Sequence, residues 1–195
     1  MKSLKYLLLP VIAVLTAFKS TEKIKFLQGD KVYEISAGAI DSITIDRKPF
    51  SIRYFSKRYD GDNNKFYSAK IAVLDRAPDP DSLKIGTSAN DIPFFEPGTG
   101  MAPGANEMYD TMFVNNEGHH YLTYESDTAK RVYLVLEEKG DLELEWKISA
   151  VNYQGTSAPL SELKLDHVYF VIFIDRNLNQ KVDPGELTIV KVKMK

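Results

Sequence analysis

The 195-residue chain carries 25 basic and 27 acidic side chains, a net charge of −2, and is 44% hydrophobic. That is chain enough for one domain with a sizeable core, and the slight acidity argues against nucleic acid or an anionic membrane surface as a partner. It contains no cysteine, which excludes disulfides, thiol catalysis and a cysteine-linked lipid anchor.

Residues 1–20 read as a secretory signal peptide. Lys2 and Lys5 precede the uncharged run 6–17, which ends in small or polar residues, with Ala17 and Ser20 as alternative cleavage points. The run is short of the roughly 20 apolar residues a bilayer span needs. The expected location is therefore the periplasm or the cell exterior. Cleavage removes Lys2, Lys5 and Lys19, which takes 25 basic residues to 22 against 27 acidic ones, a net charge of −5. The remainder, 21–195, is expected to be a single domain with no membrane span.

Beyond the leader the periodicity is that of strands. Candidates in chain order are 23–27, 31–35, 43–46, 50–58, 66–74, 119–125, 131–139, 142–150, 168–175 and 187–194. The clearest is "LELEWKISA", in which Leu142, Leu144, Trp146, Ile148 and Ala150 alternate with charged or small polar residues. A period of two puts those five on one sheet face, with Trp146 pointing into a core. "RVYLVLEEK" reads as its hairpin partner across a Gly140–Asp141 turn. "VYFVIFI" (168–174) is apolar without alternation, as in a strand covered on both faces. One helical turn is expected within 158–165.

The stretch from Asp75 to Asp110 holds five prolines and four glycines and little strand pattern. Structureless connections beyond about 12–15 residues are uncommon, so a connection this long is expected to be either functional or mobile. Its segment "GTGMAPG" lacks the Gly-Lys-Ser/Thr ending of a phosphate loop. Within 92–113, Phe94, Phe95, Met101, Met108, Tyr109, Met112 and Phe113 would either fold back as a lid over the open end of the sandwich, covering the core, or meet a protein or glycan partner. The lid is the preferred reading. Taken together, the pattern predicts an all-β sandwich, immunoglobulin-like or transthyretin-like, with a long Pro/Gly-rich loop.

The sharpest chemical signal is "DRNLNQKVDPGE", residues 175–186, between two apolar strands. Asp175, Asn177, Asn179, the Lys181 carbonyl, Asp183 and Glu186 stand at positions one, three, five, seven, nine and twelve. Calcium needs six to eight oxygens, usually closed by a bidentate Glu. The segment resembles an EF-hand-type calcium loop, in the strand-flanked form found in secreted bacterial β-domains. The resemblance covers this dozen residues alone, and it implies those six as ligands of a structural calcium ion. Position six departs from it: the turn there takes positive φ and is usually Gly, whereas this chain has Gln180. That strain, with only three carboxylates, implies weak binding of the extracellular class. A polar turn is the competing reading. A second cluster, "YDGDNNK" at 59–65, has Ile71 where a closing acid would stand and reads as a hairpin turn.

No catalytic motif occurs. Adjacent His119 and His120 would point to opposite faces of a strand, and His167 lies far along the chain. The expected function is an exported, calcium-stabilised binding or surface-associated module. The alternative is a small periplasmic enzyme or metal-handling protein using those histidines.

Overall fold

The computed structural model describes residues 23–61, 64–95, 110–115 and 132–195, with backbone alone at 58–61 and 64–67. The leader, His119 and His120, the 119–125 strand candidate and residues 96–109 lie outside the described residues.

Among the described residues thirteen strands form two packed sheets. They are β1 (Lys23–Gln28), β2 (Lys31–Ser36), β3 (Ile40–Ile45), β4 (Phe50–Gly61), β5 (Asn64–Tyr67), β6 (Ala69–Leu74) and β7 (Thr111–Val114), then β8 (Tyr133–Glu138), β9 (Asp141–Ile148), β10 (Ala150–Tyr153), β11 (Thr156–Pro159), β12 (His167–Ile174) and β13 (Leu187–Met194). One sheet has the order β2-β1-β4-β9-β8, with β5 on the far end of β4. The other runs β11-β10-β7-β6-β12-β13-β3. The fold is an all-β sandwich. Among the described residues no helix is long and apolar enough to cross a membrane.

Period-two rows build the core between the sheets. Ile24 and Phe26 of β1, Ile52 and Tyr54 of β4, and Leu142, Leu144, Trp146 and Ile148 of β9 are all buried on one side. They meet Val168, Phe170 and Ile172 of β12 and Val190 and Val192 of β13. Phe170 is central: its ring lies 5.5 Å from Phe26, 6.1 Å from Phe50 and 6.5 Å from Trp146, edge-on to each.

β12 is covered on both faces, as its unbroken apolar run requires. Its other face carries Val171 and Phe173, which pack against Leu83, Ala89, Ile92, Phe95 and Val182. The proline-rich stretch therefore begins as a strap of short 3₁₀ turns (80–83, 89–91, 93–95) over the outside of the seven-stranded sheet. This refines the lid reading. Ile92, Phe95 and Met112 are fully buried, but Ile92 and Phe95 cover a sheet face rather than an open end.

Two strand candidates divide where the chain changes sheets. Ala150 does not continue the Trp146 row, because it opens β10 in the opposite sheet. The crossing at Ser149 is held by Asp110, whose carbonyl accepts the Ser149 N–H at 2.8 Å. Likewise 66–74 breaks at Ser68, where β5 gives way to β6. There the Lys57 N–H bonds the Ser68 hydroxyl at 2.8 Å and the Ser68 N–H bonds the Lys57 carbonyl at 2.9 Å. Both serines of that corner, Ser56 and Ser68, are buried, so these bonds satisfy groups water cannot reach.

The β8–β9 hairpin exists, with its turn one residue earlier than expected. Lys139 (φ 53°) and Gly140 (φ 86°) form it, and Asp141 already pairs with Glu138. Positive φ at both central residues suits a right-twisted two-residue hairpin. The 59–65 cluster is a hairpin as expected, with Gly61 opposite Asn64 in the β4–β5 ladder. The helical turn within 158–165 is a 3₁₀ turn at 160–162.

On β4, Arg53 meets Glu145 of β9 at 2.8 Å, with the glutamate side chain 13% exposed. Burial alone would raise the Glu145 pKa, but hydrogen bonds from Arg53 and Ser51 and the Arg53 and Lys147 charges outweigh it, leaving it below the usual value. A depressed carboxylate stabilises the fold above its unfolded pKa of about 4.3, and the gain is lost as pH falls through the folded value. Arg53→Met should therefore cost about 0.5–1 kcal/mol at neutral pH, the size of a half-exposed ion pair. Urea unfolding at pH 7 and near pH 3 should show that the difference shrinks in acid.

Candidate calcium loop

The 175–186 segment hangs from two neighbouring strands of the seven-stranded sheet. The antiparallel ladder sets Phe173 opposite Leu187, and the Ile174 N–H bonds the Glu186 carbonyl at 2.9 Å. Positions one and twelve are therefore brought together by the sheet itself. Asp175 and Glu186 are each only 4% exposed, so both carboxyls turn into the loop.

The loop's polar side chains fold inward onto one another. Asp175 accepts the N–H groups of Asn179 (3.1 Å) and Gln180 (2.8 Å), one on each oxygen. Glu186 accepts those of Arg176 (2.7 Å) and Asp183 (3.2 Å), which braces the start and middle of the loop. The side-chain oxygens of Asn177 and Asn179 accept the N–H groups of Asn179 and Lys181. Their amide nitrogens both donate to Asp183, at 2.6 and 2.8 Å. All five side chains named from the sequence thus converge, and in this arrangement they satisfy one another as a polar turn would. Among the described residues no group of three or more His, Cys, Asp or Glu is placed to hold a metal ion.

Backbone geometry at position six is as the resemblance requires, since Gln180 has φ 59°. For a residue with a Cβ this costs roughly 1–2 kcal/mol, whereas glycine escapes it but loses about 0.5–1 kcal/mol of unfolded-chain entropy. The Gln180 side chain accepts a bond from Asn90 at 3.1 Å. Gly and Ala substitutions both delete that bond, so their difference isolates φ. Gln180→Gly should be more stable than Gln180→Ala by about 0.5–1 kcal/mol in denaturant unfolding.

Two neighbours of the loop gave no signal in the sequence. The strap pairs with it as a short ladder: Val182 N–H to the Thr87 carbonyl (2.9 Å), Ala89 N–H to that of Gln180 (2.8 Å), Gly86 N–H to that of Val182 (2.8 Å). Lys70 of β6 reaches Asn90 Oδ1 at 3.2 Å and the Phe95 carbonyl at 3.4 Å. Burial lowers its pKa, and the charge of Asp175 acts in the opposite sense. Glu186 is shifted upward, first by burial and further by the charges of Asp175 and Asp183, against the two N–H bonds it accepts.

The remaining candidates do not join this site. His167 starts β12, half-buried, with its ring edge-on to Tyr169 at 5.4 Å. A groove of about 410 Å³ beside the loop has Phe55, Leu136, Leu142 and Ile174 among its lining. Its cations Lys57, Lys139 and Arg176 are balanced by Glu138, Asp141 and Glu143, so it offers no net charge to select a ligand.

No family model, no curated protein and no solved structure matches the chain, so the sandwich is assigned neither as immunoglobulin-like nor as transthyretin-like.

Proposed function

We propose that the protein is an exported β-sandwich whose 175–186 loop binds calcium weakly as a structural ion, and that it acts as a binding or surface-associated module. The observation that carries this reading is the pair of buried carboxyls, Asp175 and Glu186, set side by side at positions one and twelve. Asp183 supplies a third carboxylate, with Asn177, Asn179 and the Lys181 carbonyl as neutral donors, a hard-oxygen set suited to calcium. Ion binding would have to displace the hydrogen bonds that Asp183 receives from both Asn amides. A half-turn of each amide would aim its oxygen toward Asp183, an arrangement that a cation between them makes favourable. That exchange, with the strain at Gln180, accounts for an affinity in the ~10⁻⁴–10⁻³ M range of extracellular modules. Calcium there would tie β13 to β12. The leader read at 1–20 supports a periplasmic or secreted location, where calcium at that level is available.

The test is thermal unfolding in chelator and in millimolar calcium, with Glu186→Gln alongside. At ten times Kd the native state gains about 1.4 kcal/mol, a rise of a few degrees in Tm. The expected result is a calcium-dependent rise that the variant lacks. No rise up to ~10 mM, beyond the weak extracellular range, would reduce the loop to a polar turn.

A further inference from the structure

Lys70 is out of character with its surroundings. Beneath the strap, Ala72, Val171 and Phe173 of the seven-stranded sheet pack against Ile92 and Phe95, all of them buried. Lys70 stands opposite Phe173 in the β6–β12 ladder and so shares that outer face, half-buried. An aliphatic side chain there would extend the cluster, whereas an ammonium taken partly out of water has to be compensated.

The compensation lies in the 175–186 loop. Asp175 follows Phe173 by two residues, and its N–H bonds the Ser68 carbonyl at 2.9 Å. The ladder therefore continues, and Asp175 is the diagonal neighbour of Lys70 on the same face. Three hydrogen bonds also join the two through the strap. Lys70 Nζ donates to Asn90 Oδ1 (3.2 Å), Asn90 Nδ2 donates to Gln180 Oε1 (3.1 Å), and the Gln180 N–H donates to Asp175 Oδ2 (2.8 Å). Burial disfavours the Lys70 charge, and the charge of Asp175 opposes that effect.

We propose that Lys70 is the built-in counter-cation of the calcium loop, standing beside Asp175 while the loop is ion-free and holding calcium affinity down by repulsion. The inference rests on the calcium reading above and adds a cause of weak binding that lies outside the loop. Asp175, Asp183 and Glu186 are three carboxylates within twelve residues, and a positive charge close by offsets part of their mutual repulsion. Calcium brings two positive charges into the same space, so Lys70 opposes its entry. Because Asn90 and the Phe95 carbonyl hold the ammonium, the strap is tied to the charge state of the loop.

The test is calcium titration by isothermal calorimetry at low ionic strength, where charge effects are least screened, on the exported protein and three variants. Lys70→Met should bind calcium about tenfold more tightly, toward the water-like end of the interaction between a unit and a divalent charge about 8 Å apart. Lys70→Gln, neutral yet hydrogen-bonding, should tighten binding likewise, and Lys70→Arg, which keeps the charge, should stay near the parent. Circular dichroism checks that each variant is folded. Equal affinity in the parent and both neutral variants overturns the proposal and leaves the calcium site standing. Tightening by Lys70→Arg as well would assign the effect to packing and also overturns it. No binding by any form up to ~10 mM removes the calcium reading and the proposal with it. Binding by the neutral variants alone upholds Lys70 as the charge that excludes calcium and removes only the parent's own occupancy.

Discussion

Phe170→Ala should destabilise the protein by about 3–5 kcal/mol, the cost of emptying an aromatic site that cannot collapse. The side chain is fully buried and stands edge-on to Phe26, Phe50 and Trp146, which come from three strands of the facing sheet. Those rings are themselves held by backbone ladders and cannot all move in to fill the void. For a domain of this length the loss corresponds to a fall in Tm of roughly 10 °C, readable by calorimetry. Leu178→Ala, at a loop position 39% exposed, should move Tm by no more than about a degree. A loss below about 1 kcal/mol at Phe170 would mean that the sheets do not pack through this residue.

Gly38→Ala should cost about 2–4 kcal/mol, nearly as much, by a different route. Gly38 lies in the turn between β2 and β3 with φ +81°, where a Cβ costs roughly 1–2 kcal/mol. An added Cβ would also sit 2.6 Å from the Cα of Gly185, and backbone cannot swing aside as a side chain can. Overpacking of that kind adds about 1–3 kcal/mol. Gly38 further donates its N–H to buried Thr188 at 2.9 Å, a bond the displacement would strain. Since Gly185 is position eleven of the candidate calcium loop, the variant should also lose part of the calcium-dependent rise in Tm. Denaturant unfolding with and without calcium reads both effects. Stability equal to that of the parent would show that the two turns do not touch.

What could be read along the chain was whatever depends on neighbours in sequence. Alternation in "LELEWKISA" placed Trp146 in the core, because a pleat sends every second side chain to one face whatever lies opposite. The unbroken run 168–174 announced a strand covered twice, though not what covers it. The polar run 175–186 was legible as a turn between two strands, and the positive φ expected at Gln180 is present, since turns obey short-range sterics, whereas the one at Leu178 was not foreseen.

Tertiary structure alone decided the rest. β7, β10 and β11 are four residues each, too short to show a period, and β7 and β10 pair in parallel across a long separation in sequence. The chain changes sheets at Ser68 and Ser149 because serine hydroxyls and a distant carbonyl take up the freed backbone groups there, which no local pattern encodes. The Asp175 charge acting on Lys70, the strap laddered onto residues 180–182 and the approach of Gly38 to Gly185 all join residues about 90 to 150 positions apart. Sequence determined which face the longer, alternating strands bury and where the loop could gather oxygens. Which elements would meet there is a matter of packing, and packing is settled only when both sheets are in place.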